Sequence, residues 1–313
     1  MSKYLPFILL ISIMLLTACS ASEKLTEKDS TNQNFTYTEL ADTESSADSE
    51  KTIASLSIHL TSDLLALGII PEGSVVGGKS QAYLPHTTDK LKDTKQLGEA
   101  GDVNLEALLT LKPDVIYIDE ELTADATDDL VKIADTKSVN LDEGTWRDHL
   151  NQIAKATGKD EEEKNFIEEY TNEAEEVGNL IKDKVGEDAK AMAIRINAKE
   201  LRVFSTGRPM GPLLFDDIGL QPAKGIEKLD PNRPYEVISK EVLPDYDPDI
   251  IFLMVNSESE AKAAFKDLEN SSIWKGLKAV QTNRVYIIEE QPWLDYSALG
   301  NKLALDEAKK LFN

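Results

Sequence analysis

Apolar residues recur at intervals of three and four positions through one long stretch in the middle of the chain, from Asp160 to Lys184. The members of this series are Phe166, Ile167, Tyr170, Ala174, Val177, Leu180 and Ile181. Such spacing puts a single apolar stripe on one face of an α-helix. We predict an unbroken helix about 36 Å long, with Asp160 and Glu163 as an N-cap pair.

Short apolar runs alternate with helix-like stretches on both sides of this helix. On its N-terminal side, Ile53 to Ile58 and Val115 to Ile118 are predicted strands, and Thr61-Ser62-Asp63 is predicted to cap a short helix from Leu64 to Leu67. On its C-terminal side, Asp249 to Val255 is a predicted buried strand. Repeated strand–helix units of this kind predict mostly parallel sheets with helices on both faces.

The long helix fits two arrangements of these regions. It is either a surface helix within one domain or a rigid strut that joins two α/β lobes. The alternation of strands and helices on both of its sides favours the strut. We therefore predict an N-terminal α/β lobe over residues 51–158, a connecting helix over residues 159–185 and a C-terminal α/β lobe over residues 186–313.

The N-terminal region has the pattern of an exported and anchored protein. Lys3 precedes an apolar run from Phe7 to Leu16, which is too short to span a bilayer as a lasting helix. The run leads into Leu-Thr-Ala-Cys, which resembles the bacterial lipobox, and Cys19 is the only cysteine. We predict a signal peptide over residues 1–18 and a lipidated Cys19 that opens a flexible acidic tether over residues 19–50. The alternative is a cleaved signal peptide with an incidental cysteine.

Charge and composition remove several classes of function. The 313 residues carry a formal net charge of −23, which opposes binding to nucleic acid. A single cysteine excludes an internal disulfide. The sequence contains no phosphate-binding loop, no GxSxG motif and no GxGxxG motif, and no pair of carboxylates stands out from the general acidity. We therefore predict that the protein is not an enzyme.

Several segments together resemble one known family. They are the lipobox, the stretch NLEALLTLKPDVI from Asn104 to Ile116, the stretch SKEVLPDYDPDII from Ser239 to Ile251, and the segment from Ile273 to Tyr286. Together they are similar to the iron–siderophore-binding lipoproteins of bacterial ABC importers, from about Ile53 to the C-terminus. The resemblance implies two Rossmann-like lobes joined by one long helix, with the ligand cleft between the lobes.

The resemblance also implies a function. The expected protein is a tethered receptor that captures a ferric siderophore and delivers it to the permease of an ABC importer, with no chemistry done on the ligand. Fe(III) would be carried within the siderophore, with no intrinsic cofactor. A lipid-anchored monomer on the extracellular face of a Gram-positive cell membrane is the expected setting. Receptors for haem, cobalamin or bare metal ions share this architecture, and a surface esterase is a third alternative.

The chain departs from the family pattern at two places. Family members carry a β-hairpin with a Pro-Lys-Arg segment before the first strand, where this chain has only Lys51-Thr52. Some hydroxamate binders place an arginine just before the NLE stretch, where this chain has Glu99-Ala100-Gly101-Asp102. The class of siderophore therefore stays open.

Ligands of α/β lobes bind beyond the carboxyl ends of the strands, and an oxygen-rich iron complex calls for cations and aromatic faces there. Arg208 is the first candidate, because a guanidinium offers two parallel donors to a carboxylate or hydroxamate; a solvated loop arginine is the alternative. Arg195 either points into the cleft or pairs with a carboxylate of its own lobe. Aromatic and basic residues near other strand ends complete the set, with ordinary packing as the alternative for the aromatics: Trp293, Tyr296, Tyr83, Lys79 and Arg233.

Two histidines and two glutamates have separate interpretations. His59 and His86 invite direct metal binding, but the histidines lie in separate segments and lack the i, i+4 spacing of a helical zinc pair. We therefore predict no metal site, and a structural role for His149. Glu106 and Glu241 each open a helix before a Pro-Asp-led strand, one in each lobe. The resemblance implies that they dock onto the permease; a carboxylate favoured by the helix dipole is the alternative.

Overall fold

The computed structural model describes residues 51–77 and 81–313. The predictions made for residues 1–50, including the lipidation of Cys19, lie outside the described residues. So does the prediction that Lys79 contacts the ligand. No helix within the described residues is long and apolar enough to cross a membrane.

The N-terminal lobe is built on a six-stranded sheet in the order β4-β3-β2-β1-β5-β6. Every neighbouring pair is parallel except β3 and β4, which are antiparallel. Strands and helices alternate along the lobe, as predicted. The strands are β1 (Ile53–Ser55), β2 (Gly73–Val76), β3 (Lys95–Glu99), β4 (Asp102–Val103), β5 (Val115–Asp119) and β6 (Asp135–Val139), and the helices are α1 (Ile58–Ala66), α2 (Leu105–Leu111), α3 (Thr127–Leu130) and α4 (Trp146–Thr157), with a 3₁₀ turn at Ala124–Ala126 before α3.

The first helix begins earlier than predicted. The prediction extended strand β1 to Ile58 and started a helix at Leu64, whereas β1 ends at Ser55 and α1 begins at Ile58. The reason is Ser57, whose extended backbone and side-chain oxygen cap the helix by accepting the backbone N–H of Leu60. As a result, Thr61-Ser62-Asp63 lies buried inside the helix rather than at its start.

The long central helix is confirmed. Helix α5 runs for 26 residues, Asp160–Val185, and buries Tyr170, Val177 and Ile181 from the predicted apolar stripe. The predicted Asp160–Glu163 cap is wrong, because Lys159 occupies the N-cap position and makes no side-chain cap hydrogen bond. Four acidic residues in the first turn face the positive end of the helix dipole instead.

The C-terminal lobe has a mixed sheet in the order β10-β8-β7-β11-β12, with a short strand β9 beside β7. Strands β7, β9, β11 and β12 pair in parallel, and β8 is antiparallel to both of its neighbours. The strands are β7 (Lys190–Ile196), β8 (Leu201–Phe204), β9 (Gln221–Pro222), β10 (Tyr235–Ile238), β11 (Ile250–Val255) and β12 (Val285–Ile287), and the helices are α6 (Leu243–Tyr246), α7 (Ser259–Asn270), α8 (Ser272–Gly276), α9 (Lys278–Gln281) and α10 (Ala298–Phe312), with a π-helical segment at Pro212–Asp217 and 3₁₀ turns at Ile226–Lys228 and Lys240–Val242.

A second helix accompanies the strut. Lys302 and Lys309 of α10 form ion pairs with Glu173 and Glu176 of α5, at Nζ–O distances of 2.7 and 2.6 Å. One buried core includes residues of the N-terminal lobe, of α5, of α10 and of the C-terminal sheet. The lobes are therefore joined by two helices and a shared core, where the prediction had a single rod.

Candidate ligand-binding cleft

The parallel strands of each lobe gather a set of loops at one edge of the sheet. In the N-terminal lobe, the loops after β5 and β6 contain Glu120 and Leu141. In the C-terminal lobe, the loops after β7, β11 and β12 contain Asn197, Asn256 and Glu290. These carboxyl ends of strands are where ligands of α/β folds bind.

Arg195, near the end of β7, lies among residues from two of these loops. Its Nε donates to Glu290 Oε1 at 2.8 Å, and Asn256 Nδ2 donates to the same oxygen at 3.0 Å. The Arg195 side chain is 20% exposed and that of Glu290 is 28% exposed. Of the two predicted alternatives, the structure shows the pairing with a carboxylate of its own lobe, at a position that solvent still reaches.

Arg202 is a cleft residue that the sequence analysis missed. It lies directly opposite Arg195 across the β7–β8 hairpin. Its Nε and a terminal nitrogen donate to Glu200 Oε2 at 2.8 and 2.6 Å, and its guanidinium carbon is 4.1 Å from the centre of the Tyr235 ring. The sequence could have indicated this pair, because two predicted strands joined by a four-residue turn form a hairpin in which Arg202 lies opposite Arg195.

Arg208 links the two lobes. Its guanidinium donates to the Leu141 carbonyl and forms an ion pair with Asp142, both in the loop after β6. The loop that carries it is tight: Gly207 donates its N–H to Ser205 Oγ at 3.0 Å, and a Cβ on Gly207 would overlap the Pro231 carbonyl. This loop holds the arginine where both lobes contribute partners.

The two aromatic candidates after β12 are buried. The ring centre of Tyr296 lies 5.8 Å from the guanidinium carbon of Arg208. Its hydroxyl accepts the backbone N–H of Trp146 at 3.2 Å. Trp293 is 2% exposed, donates its indole N–H to Glu307 at 2.7 Å and packs on Phe252. Because its ring and its donor are both engaged in the core, we leave Trp293 out of the candidate ligand contacts.

The remaining two candidates are separate from these arginines. Tyr83 donates its hydroxyl to the Thr94 carbonyl at 2.9 Å. Arg233 is 63% exposed and pairs with Glu236, three residues away, at 3.1 Å. Within residues 51–77 and 81–313, no hydrogen bond or ion pair connects Tyr83 or Arg233 to Arg195 or Arg208.

One carboxylate connects three side chains of the N-terminal lobe to the segment before α10. Asp295 Oδ1 lies 2.7 Å from His59 Nδ1, and Asp295 Oδ2 lies 2.9 Å from His86 Nε2 and accepts the Ser62 hydroxyl at 2.8 Å. The Asp295 side chain is fully buried. We call His59, Ser62, His86 and Asp295 the Asp295 seam.

A second buried carboxylate reinforces the seam. Asp63 Oδ1 accepts the backbone N–H of Ala298, the first residue of α10, at 2.7 Å. Burial raises the pKa of Asp63 to about 8. Burial would also raise the pKa of Asp295, but the hydrogen bonds from His59 and His86 hold it well below its ordinary value. Burial lowers the pKa of His59, yet the hydrogen bond and charge of Asp295 outweigh it and raise this pKa above 6.5.

The histidines are engaged as hydrogen-bonding groups. His59 and His86 both bind Asp295, and His149 Nε2 lies 2.7 Å from the Glu143 carbonyl. No group of three or more His, Cys, Asp or Glu side chains within the described part of the chain is arranged to hold a metal ion. The His59–His86 convergence was not foreseen, because neither the spacing nor the strand pattern indicated Asp295 as their partner.

The two glutamates predicted to dock are exposed, one on each lobe. Glu106 is in the first turn of α2, which Asn104 caps by accepting the Ala107 N–H at 2.9 Å. Glu241 lies in the turn Lys240–Val242 and accepts the Ser239 hydroxyl, which lowers the pKa of Glu241. Both positions are therefore free to contact another protein.

A cavity of about 490 Å³ opens at the ends of β2 and β3. Its lining includes two carboxylates and three amides, and none of the predicted ligand contacts that fall among the described residues is part of it. The lining residues are Val76, Gln81, Gln96, Gly98, Glu99, Asp102, Val103 and Asn104.

Both α/β lobes present loops at the carboxyl ends of their parallel strands, and three arginines of the C-terminal lobe, Arg195, Arg202 and Arg208, lie near these loops. The periplasmic binding protein family matches residues 53–292. The chain belongs to that family, which confirms the predicted fold class.

Individual relatives agree with this assignment. The probable siderophore-binding lipoprotein YfiY of Bacillus subtilis is 28% identical over 318 residues, covering 98% of this chain and 96% of YfiY. Staphylococcus aureus SirA complexed with staphyloferrin B has a TM-score of 0.73 at 26% identity, covering 83% of this chain and 92% of SirA. The triscatecholate siderophore binding protein FeuA of Bacillus subtilis, complexed with ferri-bacillibactin, has a TM-score of 0.67 at 26% identity, covering 83% of this chain and 92% of FeuA.

Proposed function

We propose that the protein is a membrane-anchored receptor that captures a ferric siderophore and delivers it to the permease of an ABC importer. The observation that carries this proposal is the likeness to SirA and FeuA, both complexed with siderophores, over 83% of the chain. The iron enters as part of the ligand, and the protein supplies binding groups without changing the ligand.

Arginines at the strand ends are the proposed ligand contacts. Arg195, Arg202 and Arg208 each keep N–H groups beyond those used by their partners, since a guanidinium carries five donors. Such donors match the oxygens that surround ferric iron in a siderophore. Tyr296 supports Arg208 from behind. Tyr83, Lys79 and Arg233 stay as weaker proposed contacts.

The two joining helices limit how the lobes move. We propose that the lobes, residues 51–158 and 186–313, close on the ligand by a small rotation about residues 159–185. Helix α10 is ion-paired to α5 and hydrogen-bonded to α1 through Asp63, so a large hinge opening would strain these contacts. Binding therefore relies on a cleft that is largely formed before the ligand arrives.

The N-terminal region supplies the anchor in this proposal. Residues 1–18 are a signal peptide, Cys19 carries acyl chains, and residues 19–50 are a tether that keeps the receptor near its permease. The similarity to YfiY, a probable siderophore-binding lipoprotein, supports this part of the proposal. Glu106 and Glu241 then meet the permease, one from each lobe. A monomer on the outer face of a Gram-positive membrane is the proposed setting.

A ligand panel tests the proposal directly. The full chain in mild detergent is titrated with ferric siderophores of the hydroxamate, catecholate and citrate types, with the same siderophores without iron, and with haem and cobalamin. We expect quenching of tryptophan fluorescence by at least one ferric siderophore at submicromolar concentration, confirmed by calorimetry. Tight binding of haem, cobalamin or a bare metal ion, with none of a ferric siderophore, would overturn the proposal.

A further inference from the structure

Resting on the proposed function, we propose that this receptor selects ferric siderophores without net negative charge, such as ferric trishydroxamates. Glu290, Glu200 and Asp142 set this preference by neutralising the arginines of the cleft. Glu290 is the specificity-determining residue with the clearest test, because it is half-buried and bound to Arg195 through a single oxygen.

Every cleft arginine of the described residues is matched by one carboxylate. Arg195 pairs with Glu290, and Arg202 pairs with Glu200. Arg208 pairs with Asp142 from the other lobe. The three guanidinium groups therefore add donors to the cleft but almost no net positive charge.

Further carboxylates at the same strand ends form no ion pair with another described residue. Glu120 and Glu121 follow β5, Glu258 follows β11, and Glu289 follows β12; all four are exposed and none forms an ion pair with another described residue. The negative electrostatic potential of these carboxylates adds to that of the whole chain, which has a formal net charge of −23. A cleft whose net charge is negative lowers the local concentration and the affinity of anionic ligands.

The main siderophore classes differ in charge by their chemistry. Three hydroxamates, each singly ionised, balance the charge of Fe(III), so that the complex is neutral. Three catecholates, each doubly ionised, leave the complex with three negative charges, and citrate-type complexes also stay anionic. An anionic complex needs unpaired cations in the cleft to replace its lost hydration. The three arginines do not supply unpaired positive charge while their carboxylate partners are in place.

A neutral complex needs only hydrogen-bond donors, and these remain. Glu290 takes the Nε of Arg195, so the two terminal nitrogens keep their donors. These can bond the oxygens of a hydroxamate without breaking the ion pair. If Arg195 left Glu290 to bind an anionic ligand, the negative charge of Glu290 would remain unpaired beside a ligand of the same charge.

Two probes and a matched pair of variants test the inference. Affinities of the full chain for ferrichrome, a neutral trishydroxamate, and for ferri-bacillibactin, a triscatecholate, are measured by calorimetry. We expect ferrichrome to bind at least about tenfold more tightly. Glu290→Gln releases the charge of Arg195 and should raise the affinity for ferri-bacillibactin by about three- to tenfold, with little change for ferrichrome.

Glu289→Gln is the matched control, because it removes the same charge from an exposed neighbour that contacts no arginine. We expect it to change the affinity for ferri-bacillibactin by less than about twofold. Equal effects of the two variants would overturn the role of Glu290. Equal or tighter binding of ferri-bacillibactin by the unmodified chain would overturn the charge preference while leaving the proposed function intact. Binding of neither probe nor of any other ferric siderophore would instead remove the proposed function itself.

Discussion

The molecule pairs basic side chains with carboxylates in two regions, and the surroundings of the pairs differ. In the Asp295 seam, the carboxylate is fully buried and accepts hydrogen bonds from three side chains of the other lobe. At the cleft, Arg195 and Glu290 are both partly exposed, and Arg208 is bound to a loop that solvent reaches. The two regions therefore differ in the carboxylate, which is fully buried in the seam and partly exposed at the cleft.

This difference separates structure from recognition. A buried carboxylate that loses a partner cannot be rescued by water, so the seam is costly to alter. A partly exposed ion pair contributes little to folding and can exchange a partner for a ligand. We therefore expect changes in the seam to reduce stability and changes at the cleft to reduce affinity.

Asp295→Asn should have the largest effect. The amide cannot accept from His59, His86 and Ser62 as the carboxylate does, and its own donors face groups that are also donors. We expect a loss of about 3–5 kcal/mol of unfolding free energy, as for a buried ion pair that loses one partner. Urea denaturation followed by circular dichroism measures this loss.

The control for this change is Asp306→Asn on α10, where the carboxylate pairs with Lys302 on a partly exposed surface. It should cost less than about 1 kcal/mol. If both variants were equally stable, the seam would not be the structural link between the lobes.

The buried carboxyl group of Asp63 should make the unfolding free energy depend on pH. Its folded pKa of about 8 is above the ordinary value of 3.8, so the folded state keeps a proton that the unfolded state has lost. The stability contribution is therefore complete at acidic pH and is lost as the pH rises toward 8. We expect unfolding free energy to fall by about 1 kcal/mol per pH unit between about pH 5 and 8.

Asp63→Asn isolates this effect. The amide oxygen still accepts the Ala298 N–H, but the group no longer titrates, so the unfolding free energy of the variant should fall less steeply than that of the unmodified chain as the pH rises. Urea midpoints at several pH values test it. The raised pKa of His59 acts in the same direction above pH 6.5, so some slope should remain in the variant. A slope identical to that of the unmodified chain would show that Asp63 is not the titrating group.

At the cleft, Arg208→Ala should reduce affinity more than stability. Removing a charged hydrogen-bond donor to the ligand should weaken binding of the best ferric siderophore by about 1.5–3 kcal/mol. The unfolding free energy should change by less than about 1 kcal/mol, because the pair with Asp142 is partly exposed. Calorimetry and urea denaturation on the same sample separate the two quantities. Unchanged affinity would show that Arg208 holds the loop of Asp142 and not the ligand.

The fold could be predicted where local pattern determines it. The apolar stripe of α5 was predictable because it repeats within one or two turns of the helix. Strand β10 was missed because Tyr235 to Ile238 pairs only with β8 and shows no strict alternation of buried and exposed positions. The start of α1 was misplaced because either Ser57 or Thr61 could serve as a cap in the sequence.

The site was harder to predict because its contacts join distant residues. His59 and Asp295 are 236 positions apart, so nothing in either segment identified the partner of the other. Trp293 and Tyr296 were chosen because they follow the last strand, and only their packing shows that both are buried. Residue type and strand position indicated which edge of the sheets to search, but not which side chains turn inward.

The smallest effects on the isolated molecule are expected at Glu106 and Glu241, which belong to neither the seam nor the cleft. Because both side chains are exposed, the double change Glu106→Ala with Glu241→Ala should leave stability and ligand affinity within about 0.5 kcal/mol. Uptake of radiolabelled ferric siderophore by cells should nevertheless fall, since the receptor loses one permease contact on each lobe. Glu168→Ala with Glu175→Ala removes the same charge from the exposed face of α5 and should leave uptake unchanged. Lost ligand binding, or normal uptake with normal binding, would contradict the docking role.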